Sequence, residues 1–492
     1  MTRTAFLLCF FLAIAGIQPA TPADAAITEG ARLAAVYDQI LAARFLLAET
    51  ELKQTCPPAP EEACQVLRVV SLWWQILLDP ASRRLDGALN ARAAAAIAAC
   101  EAWTGREPRR AEAWFYLAGS YAPLVQWRVL RGERLAAARE GSKIKGALER
   151  ALALDPTLND AYFGVGLYRY YADVAPAGAK ILRWLLLLPG GDRVQGMQEM
   201  LRARERGELL TGEADYQLHV LYLWYEHKPS EALELLSALD ARYPTNPLFL
   251  QRIAEVERTY FHDHPASADA WQRLLDRANA GRVSEPQLAE VVARLGLAHE
   301  LDAMFETDRA LDHLSIVIAQ HPSAPAGADG EAQALFAAAS ARLRDEAYRL
   351  SLEGWRALER GDATRAVERL ARAVTLAPND SVARYRYARA LGASGDADAA
   401  RAELARVVGA RAVPAIVRAS ALVDYAQTLE RAGDRARALT IYRDAARIVG
   451  GDPRAHDQAT RAIKRLTSPS DHRPTLFDFF CTLCLTSEYS EP

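Results

Sequence analysis

Three segments near the C-terminal end of this 492-residue chain can be superimposed on one another, and their spacing is the strongest constraint on the fold. They begin at Gly361, Gly395 and Gly433, and in each segment Asp follows the Gly. Small or apolar residues recur four, eight and eleven positions after the Asp, which places them on one helical face. These residues are Ala366, Leu370, Ala373, Ala400, Leu404, Val407, Ala438, Tyr442 and Ala445. Because Gly suits a left-handed helix end and Asp caps the next helix, the pattern predicts helix pairs joined by Gly-Asp turns.

The period, the Gly-Asp turn and Pro378 at the end of "LAPND" resemble the tetratricopeptide repeat, a helix–turn–helix unit of about 34 residues. Weaker copies occur upstream, such as "AWFYLAGSY" at 113–121 and "ALERALALDP" at 147–156. The resemblance covers most of residues 110–466. It implies an all-α fold in which the repeats stack into a right-handed superhelix, each helix pair burying its apolar face on its neighbours.

The resemblance and the composition of the remaining segments divide the chain into six expected regions. "HPSAPAGADG" at 321–330 interrupts the repeats with Pro, Gly and Ala, so it is either a linker between two arrays or a long loop within one. The expected regions are a signal peptide at 1–25, an N-terminal helical segment at 26–109, a repeat array at 110–322, a linker and helix at 323–345, a second array at 346–466 and a poorly ordered tail at 467–492.

The N-terminal residues have the pattern of a secretory signal peptide. Arg3 precedes the apolar run at 5–17, and "ADA" at 23–25 offers small residues for cleavage. The apolar run is shorter than the roughly 20 residues that span a bilayer, so we expect cleavage near Ala25 and export, with the bacterial periplasm as the compartment. In such an oxidising compartment, Cys56 and Cys64 are expected to form a disulfide across a turn-rich loop.

Two stretches of the first array are longer than the repeat pattern requires, near 122–143 and near 172–190. Both are expected to leave from the same inter-helix turn of adjacent repeats, so they should meet on one face of the solenoid. The first stretch is basic and carries Arg128, Arg131, Arg134, Arg139 and Lys143. The second contains the apolar run "ILRWLLLL" at 181–188, which is too short to cross a bilayer.

The apolar run at 181–188 has three interpretations. It packs on its own array and closes a gap, it forms a groove for an apolar partner, or it docks on a membrane surface beside the basic stretch. The structural interpretation predicts that Trp184 and Leu187 are shielded in the isolated protein. In that case Leu187→Glu should lower the melting temperature.

The sequence contains no strong catalytic signature, since GxSxG, HExxH and phosphate-binding glycine loops are absent. "HDH" at 262–264 offers metal ligands, but adjacent side chains diverge and the following Pro265 fits a helix terminus. Cys481 and Cys484 form a CxxC in the tail, without the preceding strands of a redox motif. We therefore expect no catalytic residues, no metal and no cofactor. A thiol or metal enzyme that uses Cys481 and Cys484 or His262 and His264 remains an alternative.

The resemblance also implies which side chains line an inner groove, because first-helix residues that do not pack face it in this family. By position, the groove residues of the second array are Trp355, Tyr385, Arg386, Arg389, Asp424 and Gln427. Tyr168, Tyr170 and Tyr171 would line the earlier groove, and Trp184 belongs to the apolar run. Aromatic and Arg side chains are typical anchors of protein interfaces, although each of these residues also fits a solvated helix face.

The sequence thus favours a non-enzymatic exported scaffold that binds a protein or peptide partner in its superhelical groove, in envelope assembly or secretion. The formal net charge of −3 provides no field that would attract nucleic acid. An alternative is a peripheral membrane assembly factor that docks through the basic and apolar stretches.

Overall fold

A computed structural model describes residues 27–174, 190–319, 325 and 327–467, and every regular element within these ranges is helical. The first eleven helices are α1 (Gly30–Leu41), α2 (Phe45–Thr55), α3 (Glu61–Leu78), α4 (Asp86–Arg106), α5 (Ala111–Leu130), α6 (Arg134–Leu154), α7 (Asn159–Val174), α8 (Arg193–Arg206), α9 (Thr211–Trp224), α10 (Pro229–Arg242) and α11 (Pro247–Val256), which continues as a π-helical turn, Glu257–Phe261. The other eleven are α12 (His264–Asn279), α13 (Pro286–Ala303), α14 (Thr307–Ala319), α15 (Ala328–Leu343), α16 (Glu346–Glu359), α17 (Ala363–Leu376), α18 (Ser381–Ala393), α19 (Ala397–Gly409), α20 (Ala415–Arg431), α21 (Arg435–Ala445) and α22 (Pro453–Thr467).

The Gly-Asp turns of the three C-terminal repeats have the predicted geometry. Gly361, Gly395 and Gly433 have φ values of 82°, 93° and 88°, in the left-handed region that favours glycine. The following Asp caps the next helix in each repeat, because its carboxylate accepts a hydrogen bond from the backbone N–H three residues later. Each turn therefore ends one helix and starts the next within a few residues.

All nine positions predicted to lie on the packing face are buried. They bring α17, α19 and α21 against the preceding helices α16, α18 and α20, so each pair is one helix–turn–helix unit. Gly354 on α16 shows how close the helices come, since a Cβ there would lie 2.6 Å from Cγ of Leu370 on α17. The all-α repeat architecture predicted from the sequence is confirmed.

The described residues form two compact units that interleave along the chain. The first unit comprises 27–40, 45–73, 86–174 and 190–214. The second comprises 41–44, 74–85 and the described residues from 215 onwards. Within the first unit, a disulfide joins Cys56 and Cys64 across the α2–α3 loop, as the spacing predicts.

The first predicted insertion, 122–143, is instead a lengthening of two helices. α5 and α6 have 20 and 21 residues, whereas α16 and α17 have 14 each. The turn between α5 and α6 is only Arg131–Glu133, with Gly132 at φ 82°. Added helical turns keep the 3.6-residue period, so a repeat count alone cannot distinguish longer helices from an inserted segment. Most of the second predicted insertion, with Trp184 and Leu187, lies outside the described residues.

Other predicted regions fall partly outside the described ranges. The signal peptide at 1–25 and the tail from 468 onwards, with Cys481 and Cys484, are not described. Most of "HPSAPAGADG" is also outside, and α15 begins at Ala328 within it. Among the described helices, none is both long enough and apolar enough to cross a membrane.

Candidate functional site

Five of the six predicted groove residues of the C-terminal repeats form one connected cluster around Trp355. The guanidinium carbons of Arg386 and Arg389 each lie 5.6 Å from the centre of the Trp355 ring, within the range of a cation–π interaction. The indole N–H of Trp355 donates to Oε1 of Glu306 at 3.2 Å. Arg389 is exposed and Trp355 is half-buried, so this pair is the part of the cluster that reaches the surface.

The remaining members of the cluster form hydrogen bonds within the protein. Arg386 is buried and donates to Oγ of Ser351 at 3.2 Å and to the carbonyl of Phe305 at 2.7 Å. Tyr385 is also buried and donates to Asp424 at 3.0 Å. Burial raises the pKa of the Asp424 carboxyl. In contrast to the prediction, Tyr385 and Arg386 therefore offer no free face to a partner and instead fix the positions of their neighbours.

Gln427, the sixth predicted residue, lies in a separate cleft of about 600 Å³ between α20, α21 and α22. Four arginines from the three helices line this cleft, namely Arg431, Arg435, Arg461 and Arg465. These four arginines were not predicted from the sequence, although Arg461 and Arg465 have the i, i+4 spacing of one helical face. Asp424, Gln427 and Arg431 follow at i, i+3 and i+7 on α20, so the cleft and the Trp355 cluster share one helix face.

The arginine cleft has an excess of positive charge. Its single carboxylate, Glu430, pairs with Arg465 at 2.7 Å and accepts a hydrogen bond from the Tyr442 hydroxyl at 3.2 Å. Burial and the nearby Glu430 raise the pKa of Tyr442 to about 12, so this hydroxyl stays protonated. Within the described part of the chain, the guanidinium groups of Arg435 and Arg461 have no hydrogen bond or ion pair and are exposed. The cleft is therefore suited to an anionic group.

The three tyrosines predicted for the earlier groove differ in position. Tyr170 is fully buried where α7 crosses α8, so it does not face a groove. Tyr168 and Tyr171 line a large cavity within the first unit. Trp184 lies outside the described residues. Only two of these four predicted residues are thus placed at a possible binding surface.

The cavity has a volume of about 660 Å³ and is walled mainly by apolar side chains of α1, α3, α5, α6, α7 and the start of α9. The two carboxylates that line it already accept hydrogen bonds from the protein. Asp160 accepts from the backbone N–H groups of 208–210 at 2.8–2.9 Å, and Glu213 accepts from the Tyr37 hydroxyl at 3.1 Å. The Tyr116 hydroxyl and Oε1 of Gln126 are buried and have no hydrogen-bond partner in the part of the chain that the structure describes. Sequence reasoning missed this cavity because it forms between helices distant along the chain.

The turn between α5 and α6 carries an exposed apolar tip made by Val129, Leu130 and Leu135. The predicted basic residues around this tip differ in availability. Arg128 pairs with Glu140 at 2.7 Å and with Glu133, Arg131 pairs with Asp86 at 2.7 Å, and the Lys143 ammonium lies 5.0 Å from the centre of the Tyr121 ring. Arg134 and Arg139 are exposed and have no ion pair with a described residue.

The HDH segment lies at a helix boundary, as predicted. His262 ends the π-helical turn at φ 54°, and Asp263 caps α12 through the Ala266 N–H at 2.8 Å. His264 lies 2.7 Å from the buried carboxylate of Glu300. No group of three or more potential metal ligands occurs among the described residues.

Cys100 is buried, and burial raises its pKa to about 12, so its thiol stays protonated at neutral pH.

A family model described as "Tetratricopeptide repeat" matches residues 357–421, which run from the end of α16 to the first turns of α20. The Gly-Asp turns at Gly361 and Gly395 and the packing faces that follow them lie within this match. Residues 357–421 therefore have the pattern of tetratricopeptide repeats. No curated protein matches the chain.

Several solved tetratricopeptide repeat structures are similar to this repeat protein at low identity. The P58(IPK) domain is 11% identical, with a TM-score of 0.29, and the match covers 82% of this chain and 99% of that one. The TPR2AB domain of yeast Sti1, in complex with pHSP90, is 15% identical, with a TM-score of 0.24 and coverage of 52% and 96%. YrrB, which has an unusual peptide-binding site, is 17% identical, with a TM-score of 0.22 and coverage of 47% and 99%.

Proposed function

We propose that this protein is a non-enzymatic scaffold that binds an acidic segment of a partner protein in the arginine cleft of its C-terminal repeats. The observation that carries the proposal is the pair of exposed guanidinium groups of Arg435 and Arg461, which have no ion pair with a described residue, beside a single carboxylate that is already paired. An Arg fork binds carboxylates through two parallel hydrogen bonds, so this arrangement favours Asp or Glu side chains or a C-terminal carboxylate.

The same helix face supplies a second contact for the partner. The exposed Arg389 and the half-buried Trp355 lie on the cluster that shares this face with the cleft. Aromatic and Arg side chains supply much of the binding energy at protein interfaces. An extended acidic peptide that occupies the cleft would thus continue along α20 towards Trp355.

Binding of a fluorescent Glu-rich peptide, measured by anisotropy, tests this function. We expect saturable binding that weakens as salt is added, because exposed charge pairs are screened. The same peptide with Gln in place of Glu should not bind. Replacing both Arg435 and Arg461 by Glu should weaken binding by at least about tenfold, since each lost charge-assisted hydrogen bond contributes about 1.5–3 kcal/mol.

A matched control carries the same charge change away from the cleft. Arg360 and Arg411 are exposed and without an ion pair among the described residues, so Arg360→Glu with Arg411→Glu should leave peptide affinity nearly unchanged. Equal loss in both double variants would mean that net charge alone attracts the peptide. No binding by the unmodified protein would contradict the proposed acidic partner.

We also propose that the protein works after export, in envelope assembly or secretion. The signal-peptide pattern at the N-terminus supports this, and a Cys56–Cys64 disulfide is suited to an oxidising compartment. N-terminal sequencing of the protein from a periplasmic fraction should begin near Ala26. Recovery of uncleaved chain from the cytoplasm would contradict export.

A second candidate function is peripheral membrane contact through the α5–α6 tip. It is favoured by the exposed Val129 and Leu135 beside Arg134, which has no ion pair with a described residue. Flotation with anionic vesicles tests it, and Leu135→Glu should abolish flotation. Neutralising Arg128 or Arg131 is a poor test, because both are engaged in ion pairs within the protein.

A further inference from the structure

We propose that the cavity of the first unit binds a single-chain amphiphile with an anionic head, such as a long-chain fatty acid. This site is separate from the arginine cleft and uses different residues. Its volume of about 660 Å³ lies within the 300–1,000 Å³ that is usual for small-molecule sites.

The walls of the cavity are suited to an acyl chain. Leu67 and Val70 of α3, Phe115 of α5, Leu148 of α6 and Phe163 of α7 all contribute apolar surface. These side chains are buried or nearly so, whereas Leu135 and Ala138 on α6 are exposed. The cavity therefore runs from a buried interior to an open side at the first turns of α6.

Water is a poor occupant of this space. A buried water molecule usually makes two to four hydrogen bonds, and most of the wall is apolar. The carboxylates of Asp160 and Glu213 already accept hydrogen bonds from the protein, so they offer few further hydrogen bonds to water. An apolar chain instead gains by removing this surface from water.

Two buried polar atoms point to a ligand in the cavity. The Tyr116 side chain is 1% exposed, and its hydroxyl has no hydrogen-bond partner among the described residues. Oε1 of Gln126 is likewise buried and unpaired. Leaving such groups unsatisfied costs about 1–3 kcal/mol each, so the wall of the cavity has unused hydrogen-bonding capacity at these two atoms.

The open side of the cavity favours a negative charge. Arg134 lines the cavity, is exposed and forms no ion pair with a described residue. It is also the first residue of α6, a helix of 21 residues whose N-terminal end has no side-chain cap. Free backbone N–H groups and the helix dipole both attract an anion at this end. The acyl chain thus lies inside and the carboxylate lies at the rim.

Binding of palmitate to the full-length protein, followed by native mass spectrometry and by displacement of a fluorescent fatty acid, tests the proposal. We expect saturable binding of one palmitate per chain. Arg134→Ala should weaken palmitate binding by about 1.5- to fivefold, the range that exposed ion pairs usually contribute. The same variant should leave binding of the uncharged methyl palmitate unchanged.

A variant that narrows the cavity from its exposed side gives a second test with little risk to folding. Ala138→Trp should weaken palmitate binding by at least about tenfold, because the added ring competes for the space of the chain. Ala95→Trp is the matched control, since Ala95 is exposed on α4 of the same unit and does not line the cavity. Equal effects of the two Trp variants would overturn the assigned site.

Two further binding experiments test whether something other than a fatty acid occupies the cavity. In one further variant a short Gly-Ser link replaces residues 176–188, which is feasible because Gly191 lies against the backbone of Asp173. If this variant binds palmitate and the unmodified protein does not, residues 176–188 themselves are the occupant of the cavity. Binding of an apolar helical peptide but not of palmitate would assign it to a protein partner. Either result, or no binding at all, overturns the proposal. Glu-rich peptide binding at the arginine cleft should be unaffected in every variant.

Discussion

At the scale of single residues, Ala400 tests the repeat register. It is buried where α19 meets α18. A Cβ placed on Gly392 of α18 would lie 3.8 Å from the Cβ of Ala400. Ala400→Leu should therefore overpack the helix pair and lower the free energy of unfolding by about 1–3 kcal/mol. Ala397→Leu on the same helix is the control, because Ala397 is exposed. Chemical denaturation of both variants measures the difference, and equal stabilities would refute the register.

His219 gives a residue-level prediction for pH. Its ring is buried and contacts the Tyr216 carbonyl, and burial lowers its pKa to about 3. The folded protein therefore keeps His219 neutral, whereas the unfolded chain binds a proton below about pH 6.5. The free energy of unfolding therefore has its full value above pH 6.5 and decreases as the pH falls towards 3. At pH 5 the decrease is about 2 kcal/mol. His219→Gln should flatten this part of the stability-versus-pH curve, and an unchanged curve would contradict the buried neutral ring.

At the scale of elements, the crossing of α7 and α8 depends on two facing glycines. A Cβ on Gly166 would lie 2.5 Å from the carbonyl oxygen of Gly196, and one on Gly196 would lie 2.6 Å from that of Gly166. Gly166→Ala should thus destabilise by about 1–3 kcal/mol in spite of the better helix propensity of Ala. Gly146→Ala on α6 has open space around the new methyl group and should stabilise by about 0.5–1 kcal/mol. Thermal melts that rank the two variants the other way would disprove the close crossing.

The elements also show how far a single sequence can predict this fold. Local signals predicted the C-terminal repeats, because Gly433 and Asp434 set the turn and Ala438 sets the packing face within a few residues. The length of α5 and α6 was not predicted, since whole added turns leave the apolar period unchanged. The apolar cavity was missed because it depends on which distant helices become neighbours, and the arginine cleft was missed because its side chains come from three successive helices and share no single sequence motif.

At the scale of the whole molecule, the interleaved units predict that the chain cannot be divided at residue 214 without loss. Within the second unit, the Asn246 amide donates to the Leu41 carbonyl at 2.7 Å, and the Thr245 hydroxyl donates to that of Ala42 at 2.6 Å. Trp74 packs on Tyr216, with ring centres 4.9 Å apart. A fragment of residues 215–467 lacks 41–44 and 74–85, so it exposes apolar surface and leaves buried polar groups unpaired.

We therefore expect fragment 215–467 to melt well below the full chain and to bind a dye for exposed apolar surface. The absent Trp74 contacts alone correspond to about 3–5 kcal/mol, the usual cost of truncating a buried Trp. Co-expression with fragment 27–214, which carries both missing segments, should restore the melting temperature of the second unit and suppress dye binding. If fragment 215–467 alone melts like the full chain, segments 41–44 and 74–85 are dispensable for the second unit. The division at residue 214 would then be a true domain boundary, and the helices of the second unit would complete their core from their own residues.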